Sequence, residues 1–514
     1  MEIAAFVYYW VMALYKLTQA PIWQDEAMEF YCSIPVRGAI RGVTEYASMY
    51  ERMAYIQQQP PLYNWVMCLW LQVSEGEWWY RLSSVVFGFI AALGLYAVIR
   101  KLCDRYMAAF CVVIYSSIYI LMYYIKEASE YSLLIMLLFW LVYAWLLLCE
   151  RMGGRRILLF TLLCVLSVFT HYGAAFVVVP FGISVLVMAA RSRDWKSFRL
   201  GLGLDIAAGG IGGFVLLYFF MIPQSANHVS TLFSEKEIMI ERGNIVLDFL
   251  NSLMWVFKWS TIDMDRDWDK IWWLIIGAMI VIALVIAYVA VKSRRDVIRK
   301  YLYCNIAVYL IYYIVTKLNI YAYGWYGNRY NMFLFPLWFV LIAVSLYELV
   351  MLLRQSDSRF VAGKGARLVQ TGLVLAGVVY CFYGDYRISC HWAKMDLRTV
   401  VAEWYARDGY EVPTLLDFHQ RYAFTYYFTH DGVYDASQWD NVLYNDEIEP
   451  FDAKSGTQIW KDYLQRIYDG RLPDALYLVT GQWNAFVDAF EELGYEVDPV
   501  VDTTAKLYYM KRNG

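Results

Sequence analysis

The stretch YSLLIMLLFWLVYAWLLLC, residues 131–149, carries no charge; Glu130 precedes it, and Glu150, Arg151, Arg155 and Arg156 follow. A bilayer core needs about 20 apolar residues per helix, so this run is long enough to span and its flanks mark where it stops. Working outward, comparable runs occupy roughly 2–18, 82–100, 106–125, 157–171, 173–190, 200–222, 271–291, 301–318, 330–350 and 368–385. Together they predict an α-helical polytopic membrane protein with about 11 transmembrane helices. Composition agrees. Of 514 residues, 60% are hydrophobic and 18% charged, against about 45–50% and 25% in a soluble domain. These figures exclude a disordered, collagen-like or disulfide-scaffold chain. A net charge of −3 argues against a nucleic-acid partner, which selects a basic surplus. The nine cysteines show no zinc spacing and mostly sit inside apolar runs, where they read as small buried hydrophobes.

Charge between the runs sets the orientation, because Lys and Arg are retained in the cytoplasm. With the N-terminus inside, five short loops fall on the cytoplasmic side; they begin at Arg100, Glu150, Arg191, Lys292 and Arg354 and hold 19 basic residues against five acids. No other orientation keeps all five clusters on one side, so the runs flanking Thr170-His171-Tyr172 count as two spans and the C-terminus lies outside. The first run lacks the basic start and small-residue cleavage site of a signal peptide, so it reads as a retained helix. Three pieces then face outward: a loop at about 24–81, a loop at about 223–270, and the tail. In the first loop Leu62 to Val73 is too short to span and reads as an interface helix, and Pro60-Pro61 stops the stretch before it. The domain division expected is 1–390 for the membrane part and 391–514 for the tail. The tail has 11 basic and 21 acidic residues and no spanning run. Strand-like stretches (Val412 to Phe418, Ala475 to Thr480, Lys506 to Lys511) alternate there with helical ones (Leu397 to Arg407, Trp483 to Leu493), and Gly494 stands where a helix would end. A small extracytoplasmic α/β domain is predicted. No internal repeat supports a transporter of two similar halves.

Charges beside membrane helices are costly to bury and mark function by default. Asp25-Glu26, just after the first run, suits general-base work on a hydroxyl or amine; the plainer reading is a solvated loop or a helix N-cap. Lys126-Glu127-Ala128-Ser129-Glu130-Tyr131 is a second outer cluster, readable also as two interfacial acids and an anchoring lysine. His171 lies at a helix break, where a bundle hydrogen bond competes with a ligand role. Arg329-Tyr330 and Arg81 begin spans on the outer side; a guanidinium there can hold a phosphate in bidentate fashion or anchor the helix at the interface. The acids at 263, 265, 267 and 269 alternate like part of a calcium loop but lack its glycine and terminal glutamate, so no metal site is assigned. No glycine-rich nucleotide loop occurs.

In this order the motifs resemble the GT-C superfamily of integral membrane glycosyltransferases, nearest to the protein mannosyltransferase and lipid A aminoarabinose transferase branch. The residues that carry the resemblance are Asp25-Glu26, Gln59-Pro60-Pro61-Leu62-Tyr63-Asn64-Trp65, Arg81-Leu82-Ser83-Ser84 with Phe87-Gly88, and Glu127-Ala128-Ser129-Glu130-Tyr131-Ser132-Leu133. Thr170-His171-Tyr172 and Arg329-Tyr330 with Pro336 complete the set. The resemblance implies a polyprenyl-phosphate-linked sugar as donor and inverting transfer outside a bacterial cytoplasmic membrane. The acceptor it implies is a lipid, glycan or protein. Asp25 would deprotonate that acceptor and Glu26 would support the site. Arg329, Tyr330, Arg81, Lys126, Glu127 and His171 would hold the donor phosphate or substrate, with no cofactor or metal implied. The chain departs from the family at Gln59, where many members have a basic residue or histidine, and at Ser129, where many have arginine. Phosphate binding would then shift to Lys126, Arg81, Arg242 or Lys258. The competing classes are a lipid-linked-sugar flippase, which would place charges in mid-helix along a path, and a diphosphate-donor ligase or polymerase, which would need a larger basic cluster or a metal.

Overall fold

The computed structural model describes residues 1–34, 44–225, 268–318, 320–321, 328–390, 394–417, 420–430, 441–444, 457–481 and 484–512, with backbone alone at 268–275, 328–329, 390, 430, 444 and 484–485. Each of the eleven apolar runs coincides with a helix. Among the described residues, six helices are long and apolar enough to cross a membrane: Glu77–Leu102, Glu130–Glu150, Tyr172–Arg191, Trp195–Ser225, Tyr330–Arg354 and Val361–Ser389. Arg105–Ser117 and Tyr119–Ile125 qualify as a pair bent by 73°. Among the described residues, length and apolarity therefore support six or seven of the expected 11 spans. The reasons are local. Glu2–Leu14 and Gly154–Thr170 are short helices, and Asp296–Lys317 dilutes its apolar residues with five tyrosines and Asn305.

The chain divides into two compact units. The first comprises Met1–Tyr15, Gln58–Val66 and Arg81–His391. Its most enclosed span is Glu130–Glu150, 72% buried, whereas Trp195–Ser225 and Val361–Ser389 are 11% buried and present apolar side chains outward. Gly88 lets helices close up: a Cβ there would strike the Tyr9 hydroxyl and Ile125. The bend at Ile118 is fixed by neighbours. Ser117 packs its carbonyl where Gly384 has no side chain, and the Tyr8 hydroxyl bonds both Ser117 Oγ (2.7 Å) and the Asp385 carboxylate (2.7 and 2.6 Å).

The two ends of this unit differ chemically. At one, Lys101 pairs with Glu150 at 2.5 Å, and Arg295 donates to the Leu102 carbonyl and meets Glu348 at 3.4 Å. At the other, Tyr172 donates to Gln224 Oε1 (2.8 Å), whose amide nitrogen donates to the Gln59 carbonyl (3.0 Å). The residues of three separate basic loops thus gather at one end of the bundle.

The second unit comprises Lys16–Gln57, Met67–Tyr80 and Trp392–Gly514. The expected division at 390 is a division along the chain; in space much of the 24–81 loop packs with the tail. Phe30 meets Tyr426 edge to face at 5.1 Å, Ile22 N–H donates to the Tyr427 hydroxyl, and Arg398 pairs with Glu77 at 2.7 Å. The tail holds a five-stranded sheet: β1 (Thr414–Leu416), β2 (Val442–Tyr444), β3 (Ala475–Thr480), β4 (Tyr495–Asp502) and β5 (Lys506–Arg512), in the order β2-β1-β3-β5-β4. β1 runs parallel to β2 and β3, and β5 runs antiparallel to β3 and β4. Helices Thr457–Ile467 and Asn484–Glu492 cover the sheet with Trp460 stacked on Phe486 at 3.9 Å. Gly494, at φ +87°, turns the chain from the second of these helices into β4, a conformation that a side chain would strain.

The stretch Leu62 to Val73 folds as helix Leu62–Trp70, directly after Pro60-Pro61. Leu69 and Val73 are left exposed, and Trp70 and Trp79 stack at 4.6 Å while exchanging indole N–H bonds to each other's carbonyls (2.8 and 3.0 Å). Residues 226–267, with Arg242, Lys258 and the acids at 263, 265 and 267, lie outside the described residues, as do the side chains of Asp269 and Arg329.

Candidate functional site

In the second unit, Asp25 and Glu26 occupy the first turn of helix Gln24–Ser33, whose N-cap is Trp23 in extended conformation. Carboxylates are favoured there because the first amide groups of a helix carry partial positive charge. Adjacent residues on a helix point about a quarter-turn apart, and the environment separates these two. Asp25 is partly exposed, while Glu26 is fully buried. The Glu26 carboxylate meets Lys394 Nζ at 2.9 Å, with the lysine side chain only 3% exposed. The same ammonium stands 5.4 Å from the centroid of the Trp23 ring. Tyr80 donates to the Glu26 carbonyl (2.8 Å), and Gln24 Oε1 accepts from Tyr422 N–H (3.2 Å). Glu26 is therefore a paired, desolvated carboxylate, and Asp25 is the more exposed of the two.

A cavity of about 550 Å³ lies in this unit, lined by Lys394, Gln19, Asp396, Arg398 and threonines 399, 503 and 504 among others. Its polar groups largely satisfy one another: Thr399 Oγ1 donates to Asp396 Oδ2 (2.7 Å) and Thr504 Oγ1 to the Lys394 carbonyl (2.7 Å). Lys394 was not anticipated from sequence. A lone lysine four residues past the last apolar helix, and 368 positions from its partner, carries no local signal.

In the first unit, Lys126 caps helix Tyr119–Ile125. Its ammonium donates to the Tyr15 carbonyl at 2.7 Å and lies 5.7 Å from the Tyr15 ring centroid. Lys126, Glu127 and Glu130 are each at most 3% exposed, so the interfacial-anchor reading does not hold for this cluster. Arg81 is likewise buried, at 1% exposed. Ser129 at the N-cap of helix Glu130–Glu150 keeps a buried hydroxyl with no hydrogen-bond partner among the described residues.

His171 is extended (φ −156°, ψ 129°) and breaks the helix. Its Nδ1 accepts from Gly173 N–H (3.1 Å), which leaves the proton of the neutral ring on Nε2. That nitrogen is buried with no partner among the described residues. The ring stands 5.9 Å from Tyr131 and 6.4 Å from Phe333. Tyr330 and Asn331 lie on the short helix Asn328–Leu334; Tyr321 donates to the Tyr330 carbonyl (3.1 Å), and Tyr312 to Asn331 Oδ1 (2.5 Å). Asn331 Nδ2 is another buried donor without a partner among the described residues. An unsatisfied buried donor costs about 1–3 kcal/mol, so His171 and Asn331, both beside the Phe333 and Tyr312 aromatic cluster, each offer an N–H that an acceptor oxygen could take up. Asn331 directly follows the Arg329-Tyr330 pair, which was its only signal.

Residues 58–208 match the family described as dolichyl-phosphate-mannose-protein mannosyltransferase. No curated protein matches the sequence. Among solved structures, ArnT from Cupriavidus metallidurans bound to undecaprenyl phosphate superposes with a TM-score of 0.54 at 12% identity, over 99% of this chain and 96% of that one. The same protein in the apo state gives 0.53 at 13% identity, with equal coverage. The Archaeoglobus fulgidus oligosaccharyltransferase in the apo form gives 0.50 at 11% identity, over 94% of this chain and 69% of that one. At such identities the likeness is one of fold alone, shared with the solved structures of ArnT and the archaeal oligosaccharyltransferase.

Proposed function

We propose that the chain transfers a sugar from a polyprenyl phosphate to an acceptor at the outer face of a bacterial cytoplasmic membrane, with inversion at the sugar carbon. Asp25 acts as the general base. The observation that carries this reading is the separation of the carboxylate pair: Glu26 buried against Lys394, Asp25 partly exposed beside it. A base must reach the proton it takes from an acceptor, and Asp25 alone of the two has that access. Arg81, Lys126, Glu127, His171, Arg329 and Tyr330 serve the donor, with Asn331 added to the set. Positive charge and N–H donors are what a departing phosphate monoester requires, and the ArnT structure holds a lipid of that class. The gathering of Lys101, Glu150 and Arg295 at one end of the first unit supports an N-terminus and basic loops in the cytoplasm and a tail outside. The acceptor is a lipid, glycan or protein nucleophile.

The test is release of polyprenyl phosphate by purified protein in nanodiscs, supplied with synthetic polyprenyl-phosphate sugars singly and with membrane extract as acceptor. Sugar-dependent release in wild type and its loss in Asp25→Asn, at unchanged thermal stability, is the expected result. Retained turnover in Asp25→Asn removes the base assignment. Movement of intact donor across the membrane without release moves the protein to the flippase class.

A further inference from the structure

We propose that Lys394 is a positioning residue for the carboxylate pair, holding the buried Glu26 ionised and compensating its charge beside Asp25. The inference rests on Asp25 being the base. Two carboxylates in consecutive positions disfavour each other's ionisation, and burial of one makes the effect stronger because the low-dielectric surroundings screen it less. Glu26 is fully buried, so without a counter-charge its carboxyl would be driven to the neutral form or would oppose Asp25. Lys394 supplies that counter-charge at 2.9 Å.

Both partners are held by groups outside the pair. The Lys394 carbonyl accepts from Thr504 Oγ1 (2.7 Å), and the same hydroxyl accepts from Asp396 N–H (3.0 Å). Thr504 sits in the turn between β4 and β5. On the other side the Glu26 backbone is held by Tyr80, and Trp23 covers the ammonium. The sheet of the tail thus fixes the lysine, and the lysine fixes the charge of the first outward loop. The remaining ionisable groups around helix Gln24–Ser33 are Glu29, Tyr31 and Cys32 on the helix itself. Glu51 and Arg52 lie on helix Met49–Tyr55, Tyr80 at the start of Glu77–Leu102, and Arg421, Tyr422, Tyr426 and Tyr427 on Arg421–His430. Arg52 is committed to the carbonyls of Ile34, Tyr46 and Ala47, and the Arg421 guanidinium lies against Tyr422.

The experiment measures kcat/KM for polyprenyl phosphate release against pH in the full-length protein in nanodiscs. Lys394→Met is expected to move the acidic limb of the profile upward by about one pH unit or more, the effect of an uncompensated like charge nearby. Glu26→Gln is expected to move it downward, because the lysine charge then acts on Asp25 alone. The double variant Glu26→Gln/Lys394→Met removes both charges and is expected to restore the wild-type limb, and Lys394→Arg to keep it. A purely structural pair would lower activity in the single variants with no displacement of the limb, and that result overturns the proposal. If a single variant fails to fold, seen as protease sensitivity of the tail, the charge-neutral double variant carries the test: a displaced limb there overturns it. Failure of the base assignment itself is read separately, as full turnover in Asp25→Asn.

Discussion

Asp25-Glu26 and the Lys126 to Glu130 cluster look alike in the sequence: short charged groups beside apolar runs, each with a plain reading as solvated or interfacial charge. The fold treats them differently. Lys126, Glu127 and Glu130 are all withdrawn from solvent, whereas the first pair is split into one buried and one accessible carboxylate. Enclosure of a whole cluster is what holding a ligand charge or a helix junction needs. Splitting a pair is what the proposed division of labour needs, one paired carboxylate and one that an acceptor can reach. The contrast is a contrast in burial, which charge spacing alone does not encode.

Asp25→Asn is the sharpest test of that contrast and the largest expected effect. Removing a general base costs about 10²–10⁴-fold in rate, and because Asp25 is partly exposed the variant should melt with the wild type. A large fall in melting temperature would place Asp25 with the structural charges instead. The mirror experiment is Lys126→Met. It removes a buried ammonium from the Tyr15 carbonyl, at an expected cost of about 1.5–3 kcal/mol for a hydrogen bond from a charged group, so thermal stability in detergent should fall along with donor turnover. Unchanged stability would return Lys126 to the interfacial-anchor reading. A smaller effect is expected of Gly88→Val, which drives a side chain into Tyr9 and into Ile125, next to the capping lysine. Overpacking costs about 1–3 kcal/mol, and Gly88→Ala should cost less. Equal, negligible effects would mean that the first helix is free to move away.

Much of the membrane part was legible because hydropathy is a property of contiguous residues. All eleven apolar runs are helical, and the stretches Ala475 to Thr480 and Lys506 to Lys511 are strands β3 and β5. What was not legible depends on distance along the chain. Lys394 finds Glu26 only through the packing of the tail on the first outward loop, so no window around either residue contains the pair. The strand Tyr495–Asp502 carries Pro499 and three acids, a pattern that disguises it as loop, and its ladder to β5 breaks register between Pro499 and Val501. Asn331 needed the aromatic cluster around it before its free amide had meaning. Among the described residues fewer than 11 helices meet the measure of length and apolarity, in part because helices such as Glu2–Leu14 are shorter than their apolar runs.

The smallest expected effect concerns an acid that is neither enclosed nor reactive. Glu51 closes a capping box at the start of helix Met49–Tyr55: Ser48 N–H donates to its Oε2 at 2.9 Å, and its own N–H donates to Ser48 Oγ at 3.1 Å. The hydrogen bonds from Ser48, backbone first and then side chain, hold its carboxyl below the ordinary glutamate range. A group whose folded pKa is depressed contributes stability that is complete above its unfolded pKa, about 4.3, and that is lost as pH falls through the folded value. The wild type should therefore lose slightly more thermal stability than Glu51→Gln as pH drops from 6 to below 4, with the two curves parallel above pH 6. Because this carboxylate is solvated, the divergence should be a small fraction of the loss caused by Lys126→Met. A divergence as large as that loss would mean that the helix behind Ser48 carries more of the second unit than its seven residues account for.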